Sequence, residues 1–176
     1  MSHNIIMHVL IAEDEKDLLD QYKDALEEKG HKVTVSLNGD ECVKIYRIES
    51  ENGNKSDDTD SPFDAIILDY QMPVKNGLET AKEILKINPK QRIIFASGYV
   101  QETFFESVSS LKQITEIMKK PFELQALIDT LEDKEMYKKL EELNVDIAAI
   151  KELNPSHAQI KAYFDVLCQL QKGRTF

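Results

Sequence analysis

Five residues of this 176-residue chain could together do phosphate chemistry: Glu13, Asp14, Asp69, Ser97 and Lys120. Each closes or follows a short apolar run. His8–Ala12 leads into Glu13-Asp14, Ala65–Leu68 ends on Asp69, Ile93–Ala96 ends on Ser97, and 114–118 leads into Lys119-Lys120. Three carboxylates brought to one rim repel each other, and one stays protonated unless a cation compensates. A hard divalent cation answers that need, since Mg2+ takes oxygen ligands and keeps waters whose positions suit a phosphate. Lys120 adds a compact positive charge and Ser97 a hydroxyl donor for phosphoryl oxygens. A carboxylate can also be the nucleophile, forming an aspartyl phosphate. Asp69, alone at the end of a central strand, is the candidate, with Glu13 and Asp14 holding the metal.

Such a rim exists only if the runs are parallel strands. Between them lie amphipathic stretches: Leu18, Leu19, Tyr22, Ala25 and Leu26 ahead of Gly30; Cys42, Val43, Ile45, Tyr46 and Ile48 after a turn at Asn38-Gly39-Asp40. Leu78, Ala81, Ile84 and Leu85 follow, closed by Asn88-Pro89, then Phe104, Phe105, Val108 and Leu111, then Leu124, Leu127, Ile128 and Leu131. Their helical spacing, alternating with the runs and with Lys32–Ser36, gives five strand-then-helix units. Such alternation builds a doubly wound parallel sheet with right-handed crossovers. Ligands bind at the carboxyl ends of its strands, where strand order reverses.

The segment 49–62 breaks the rhythm. It holds no apolar side chain and five acids against Lys55, so it reads as a long solvated loop. A calcium loop would need a glycine at its sixth position and a closing glutamate, both absent. Composition narrows the classes further. With 22 Lys+Arg against 32 Asp+Glu the charge is −10, poor footing for a nonspecific nucleic-acid binder. No apolar run reaches the ~20 residues of a membrane span. Cys42 and Cys168 stand in unrelated contexts, which fits a cytoplasmic protein without a disulfide framework. His3, His8, His31 and His157 are scattered and read as neither ligands nor bases.

Four ordered motifs now resemble the receiver domain of two-component response regulators. They are Val9-Leu10-Ile11-Ala12-Glu13-Asp14-Glu15, the stretch from Ile67 to Glu79 around Asp69-Tyr70-Gln71-Met72-Pro73, Phe95-Ala96-Ser97-Gly98, and Lys120-Pro121-Phe122. The resemblance covers residues 8 to about 132. It implies a flavodoxin-like (βα)5 sheet of order 2-1-3-4-5 and a phosphorylation-dependent signalling switch rather than an enzyme acting on a separate metabolite. It further implies that Asp69 accepts a phosphoryl group from a histidine kinase or phosphotransfer protein. Glu13, Asp14, Asp69 and the backbone carbonyl of Gln71 would bind Mg2+, and Ser97 and Lys120 would contact the phosphoryl group. Lys120-Pro121 matches the family's frequently cis peptide.

The chain also departs from the family. Ile117 stands where an aromatic switch residue is usual, so the signal needs another route, with Phe104 and Phe105 as relays. Gly98, often alanine in the family, loosens the loop beside Ser97. Gln71 and Tyr99 occupy the positions that modulate hydrolysis, and their size implies a long-lived phosphoryl state.

The domain boundary is expected at 133/134. In the tail, 134–176, Met136, Leu140, Leu143, Ile147 and Ile150 form a narrow seam up to Asn154-Pro155. Ser156 and Gln159 then open a helix with Ile160, Tyr163, Phe164, Leu167 and Leu170 inward. So short a tail docks on the main domain or on a second subunit, giving a homodimer, or serves as the output. The runner-up reading makes it a helix-turn-helix-like DNA reader in a transcription regulator. Seven basic against six acidic residues and no basic stripe weigh against that. A metal-dependent phosphatase would need a second acid in Asp69-Tyr70-Gln71.

Overall fold

The computed structural model describes residues 6–53, 61–98, 102–111, 115–132, 136–146 and 157–172. Five strands alternate with helices: β1 (His8–Ala12), α1 (Lys16–Glu28), β2 (Lys32–Ser36), α2 (Gly39–Asn52), β3 (Ala65–Asp69), α3 (Gly77–Ile87), β4 (Ile93–Ser97), α4 (Glu102–Ser109), β5 (Thr115–Lys119) and α5 (Leu124–Glu132). The tail adds α6 (Met136–Glu142) and α7 (His157–Lys172). The sheet order is β2-β1-β3-β4-β5 with all neighbours parallel, so the doubly wound flavodoxin-like expectation is borne out. Strands β3 and β4 are buried along their whole length, as runs covered on both faces must be.

The core gathers around Leu10, Tyr46, Phe63, Ile66, Leu68, Phe95 and Phe104. At the amino end of the sheet, the buried Tyr46 hydroxyl donates to Gln91 Oε1 at 2.9 Å. Gln91 Nε2 in turn donates to the Phe63 carbonyl at 3.1 Å, and Ser61 Oγ donates to Gln91 Oε1. Nearby, Arg92 forks onto Glu116 at 2.7 and 2.8 Å.

Three local expectations are corrected. Asn38-Gly39-Asp40 is no free turn: α2 begins at Gly39, and Asn38 caps it by accepting from the Glu41 N–H at 2.8 Å. The loop expected over 49–62 starts later, because α2 runs on to Asn52; residues 54–60 lie outside those described. The tail's seam is cut short, since α6 stops at Glu142 and Asn144 turns left-handed at φ 59°. Val145 folds back instead, its N–H donating to the Leu140 carbonyl at 3.1 Å. Ile147, Ile150 and Ser156 lie outside the described residues.

The chain divides into two compact units, Met1–Phe122 and Glu123–Phe176. In the second, Met136, Leu140 and Ile160 are buried together, flanked by Val145, Phe164 and Leu167. Tyr163 and Leu170, expected inward, are exposed, as is Val166. Residues 160, 164 and 167 share one helical face, and among the described residues of α7 these pack in the cluster.

Candidate functional site

Strand register levels the site. Ala12 pairs with Leu68, Asp69 with Ala96 and Ser97 with Lys119, so Glu13, Asp69, Ser97 and Lys120 emerge at the same end of neighbouring strands. β1 and β3 are adjacent and lead to chain neighbours on opposite sides, which makes their carboxyl ends the switch point of the sheet.

Glu13 and Asp69 are buried, at 2% and 8% exposure, and Asp14 is exposed. Glu13, Asp14 and Asp69 each offer an oxygen within 4.8 Å of the others. The Lys120 ammonium donates to Glu13 Oε2 and stands 3.5 Å from Asp69 Oδ1. Burial chiefly, then the Glu13 charge, push the Asp69 carboxyl up to about 6. Lys120 opposes this, Asp14 adds to it, and the Gln71 N–H bonded to the carboxylate opposes it again. A cluster of hard oxygens in which burial first, and then neighbouring negative charge, disfavours the ionised carboxyl fits a small divalent cation.

Ser97 is buried at the end of β4, and Gly98 follows it with nothing nearer to its missing side chain than Lys120 Cβ at 4.0 Å. Lys120 precedes a cis Pro121, as the motif led one to expect. Ile117 is half-buried against the main core, and Gln71 is exposed. Phe104 is buried edge-on between Phe95 at 5.9 Å and Tyr70, the chain neighbour of Asp69, at 4.5 Å. Tyr99 and the Phe105 side chain lie outside the described residues.

Several neighbours of the site were assigned no role from the sequence. Tyr22 is buried and stacks on Phe122, ring centroids 5.5 Å apart. Burial first, then the charges of Glu13, Asp69 and Glu15, push its phenol well above the usual tyrosine range. The turn after Asp69 is tied down tightly. Gly77 N–H donates to the Tyr70 carbonyl at 2.8 Å, and a side chain at Gly77 would collide with the Asp69 carbonyl. Asn76 and Glu79 cap α3 reciprocally, a pattern that the Asn-x-x-Glu spacing could have revealed. Lys75 N–H donates to the Pro73 carbonyl at 2.8 Å, closing a γ-turn on Val74. Val74 has φ 70° and is 85% exposed.

Comparison with known proteins agrees with this geometry. Residues 9–132 match the family model of the response regulator receiver domain. The receiver protein CpdR of Brucella abortus is 28% identical over 124 residues, spanning 70% of this chain and 92% of its own. The DNA-binding transcriptional regulator NtrC of Azospirillum brasilense is 30% identical over 125 residues, 70% of this chain but 23% of NtrC. Among solved structures, response regulator TrrA of Thermotoga maritima in complex with Mg(2+)-BeF superposes with TM-score 0.58 at 27% identity, over 72% of this chain and 97% of that one.

Proposed function

The chain belongs to the response regulator receiver domain family, and on that premise we propose that Asp69 is its phosphoacceptor within a magnesium site formed by Glu13, Asp14, Asp69 and the Gln71 carbonyl. The family role is that of a two-component signalling switch, not of an enzyme turning over a separate metabolite. The observation that carries the site assignment is the cluster of Glu13, Asp14 and Asp69 within 4.8 Å, with Lys120 beside Asp69.

In this reading an Asp69 oxygen attacks phosphorus while the P–N bond of a donor phosphohistidine breaks, and the imidazole leaves with the electron pair. Magnesium, when bound, neutralises the charge of the transferring group. Lys120 turns from Glu13 toward a phosphoryl oxygen, and the Ser97 hydroxyl donates to another. Hydrolysis by water later restores the carboxylate. The buried packing of Phe104 against Tyr70 and Phe95 supports a relay through β4 and α4 in place of an aromatic at Ile117.

The donor is a histidine kinase or phosphotransfer protein, and the setting is the cytoplasm. Residues 1–133 act as the receiver, and 134–176 as a helical extension for docking, dimerisation or output. Among the described residues no helix is long and apolar enough to cross a membrane. The test is phosphoryl incorporation from a small phosphodonor with Mg2+, in wild type and in Asp69→Asn. Labelling of the wild type alone is expected; equal labelling of the variant would sink the assignment.

A further inference from the structure

The γ-turn after the proposed phosphoacceptor is costly to hold. A β-branched residue at φ 70° sits in a sparsely populated, strained region of backbone space. Val74 is 85% exposed, so no packing of its own side chain holds it there. The restraint comes from the next residue. Lys75 is only 18% exposed, and its ammonium donates to Glu83 of α3 and lies 3.6 Å from Asp40 of α2. Asp40 also pairs with Lys44 at 2.8 Å, and Glu83 with Arg47 at 3.3 Å. Five charges of alternating sign thus join α2, the turn and α3. Backbone contact reinforces them, because a side chain on Gly39 would collide with the Lys75 carbonyl and with Thr80.

Resting on the receiver reading above, we propose that Lys75 is a positioning residue that clamps the strained Val74 turn and so fixes the Gln71 backbone for the cation. Mg2+ demands near-ideal octahedral geometry, so a ligand carbonyl on a relaxing turn binds it poorly. Groups that orient ligands without touching the metal are typically worth ~10–100-fold in affinity.

The test is calorimetric titration of the full chain with Mg2+ alone, beside thermal unfolding of each variant. Lys75→Met should weaken Mg2+ binding roughly tenfold, and Lys75→Arg should restore most of it. Glycine adopts φ 70° freely, so Val74→Gly combined with Lys75→Met should recover most of the lost affinity. A purely architectural link between α2 and α3 would show no such recovery. Should Lys75→Met fold poorly, Glu83→Gln, which leaves Asp40 in place, should weaken binding about threefold (a share of the clamp, by the same reasoning). Wild-type affinity in Lys75→Met, or an unrecovered loss in the double variant, overturns the clamp. If the wild type binds no Mg2+ and takes no phosphoryl group, the site assignment fails, and the clamp with it. If the wild type does both and Lys75→Met matches it, the clamp alone fails.

Discussion

Lys120 bridges two buried carboxylates: its ammonium donates to Glu13 and stands 3.5 Å from Asp69. The lysine is therefore a counter-ion to both carboxylates. Removing it leaves Glu13 buried beside a like charge. Lys120→Met should lower unfolding free energy by roughly 2–4 kcal/mol without divalent cations, and by clearly less at saturating Mg2+. Urea unfolding with and without Mg2+ measures both, and an equal loss in the two conditions would refute this account.

Asp69 makes stability depend on pH in a stated direction. Its folded pKa is raised to about 6, so ionisation is harder in the fold than in the unfolded chain. The neutral carboxyl costs nothing below the unfolded value; the penalty grows as pH rises and is complete above about 6. Asp69→Asn should stabilise the metal-free protein by about 2 kcal/mol at pH 8, and that gain should vanish near pH 4. Chemical denaturation at several pH values gives the curve, and a gain that grows toward acid would contradict it.

Gly77 and Gly98 flank the same rim but differ in what surrounds them. A methyl group at Gly77 would strike the Asp69 carbonyl, whereas at Gly98 it would meet nothing closer than 4.0 Å. Gly77→Ala should cost about 2–3 kcal/mol, and Gly98→Ala about 0.5 or less. Thermal unfolding of the pair ranks them, and the reverse order would refute the packing argument.

Val74→Gly should stabilise the chain by about 1 kcal/mol, since relief of the left-handed strain exceeds the added entropy of the unfolded chain. Its unfolding midpoint decides this; a lower midpoint would mean that the turn holds no strain.

Apolar runs ending in polar residues made both the sheet and its rim legible, because strands buried on both faces leave an unambiguous pattern. Glu13, Asp14, Asp69, Ser97 and Lys120 all reach that rim as expected. Their proposed roles rest on chemistry and on the family. The strained turn was illegible for a physical reason: valine favours strands, and only the anchoring of Lys75 and Gly77 forces it left-handed. The tail misled similarly. Spacing alone extended the seam beyond Glu142, but Asn144 tolerates the left-handed turn that ends it. Apolar type alone put Tyr163 and Leu170 inward, although one face of α7 suffices for so small a cluster.

The level register of the four strand ends bears on how such a protein can change. A substitution at Asp69 removes one functional group and leaves the sheet standing. Deleting one residue within β3 turns the side chains that follow it to the opposite face, putting Asp69 in the place of Leu68 and swapping apolar residues between layers. Point changes can therefore separate signalling from folding, whereas length changes in the strands lose both at once. Connections tolerate changes of length far better than strands, and this chain's longest stretch without an apolar side chain, 49–62, begins in the last turn of α2 and ends ahead of β3.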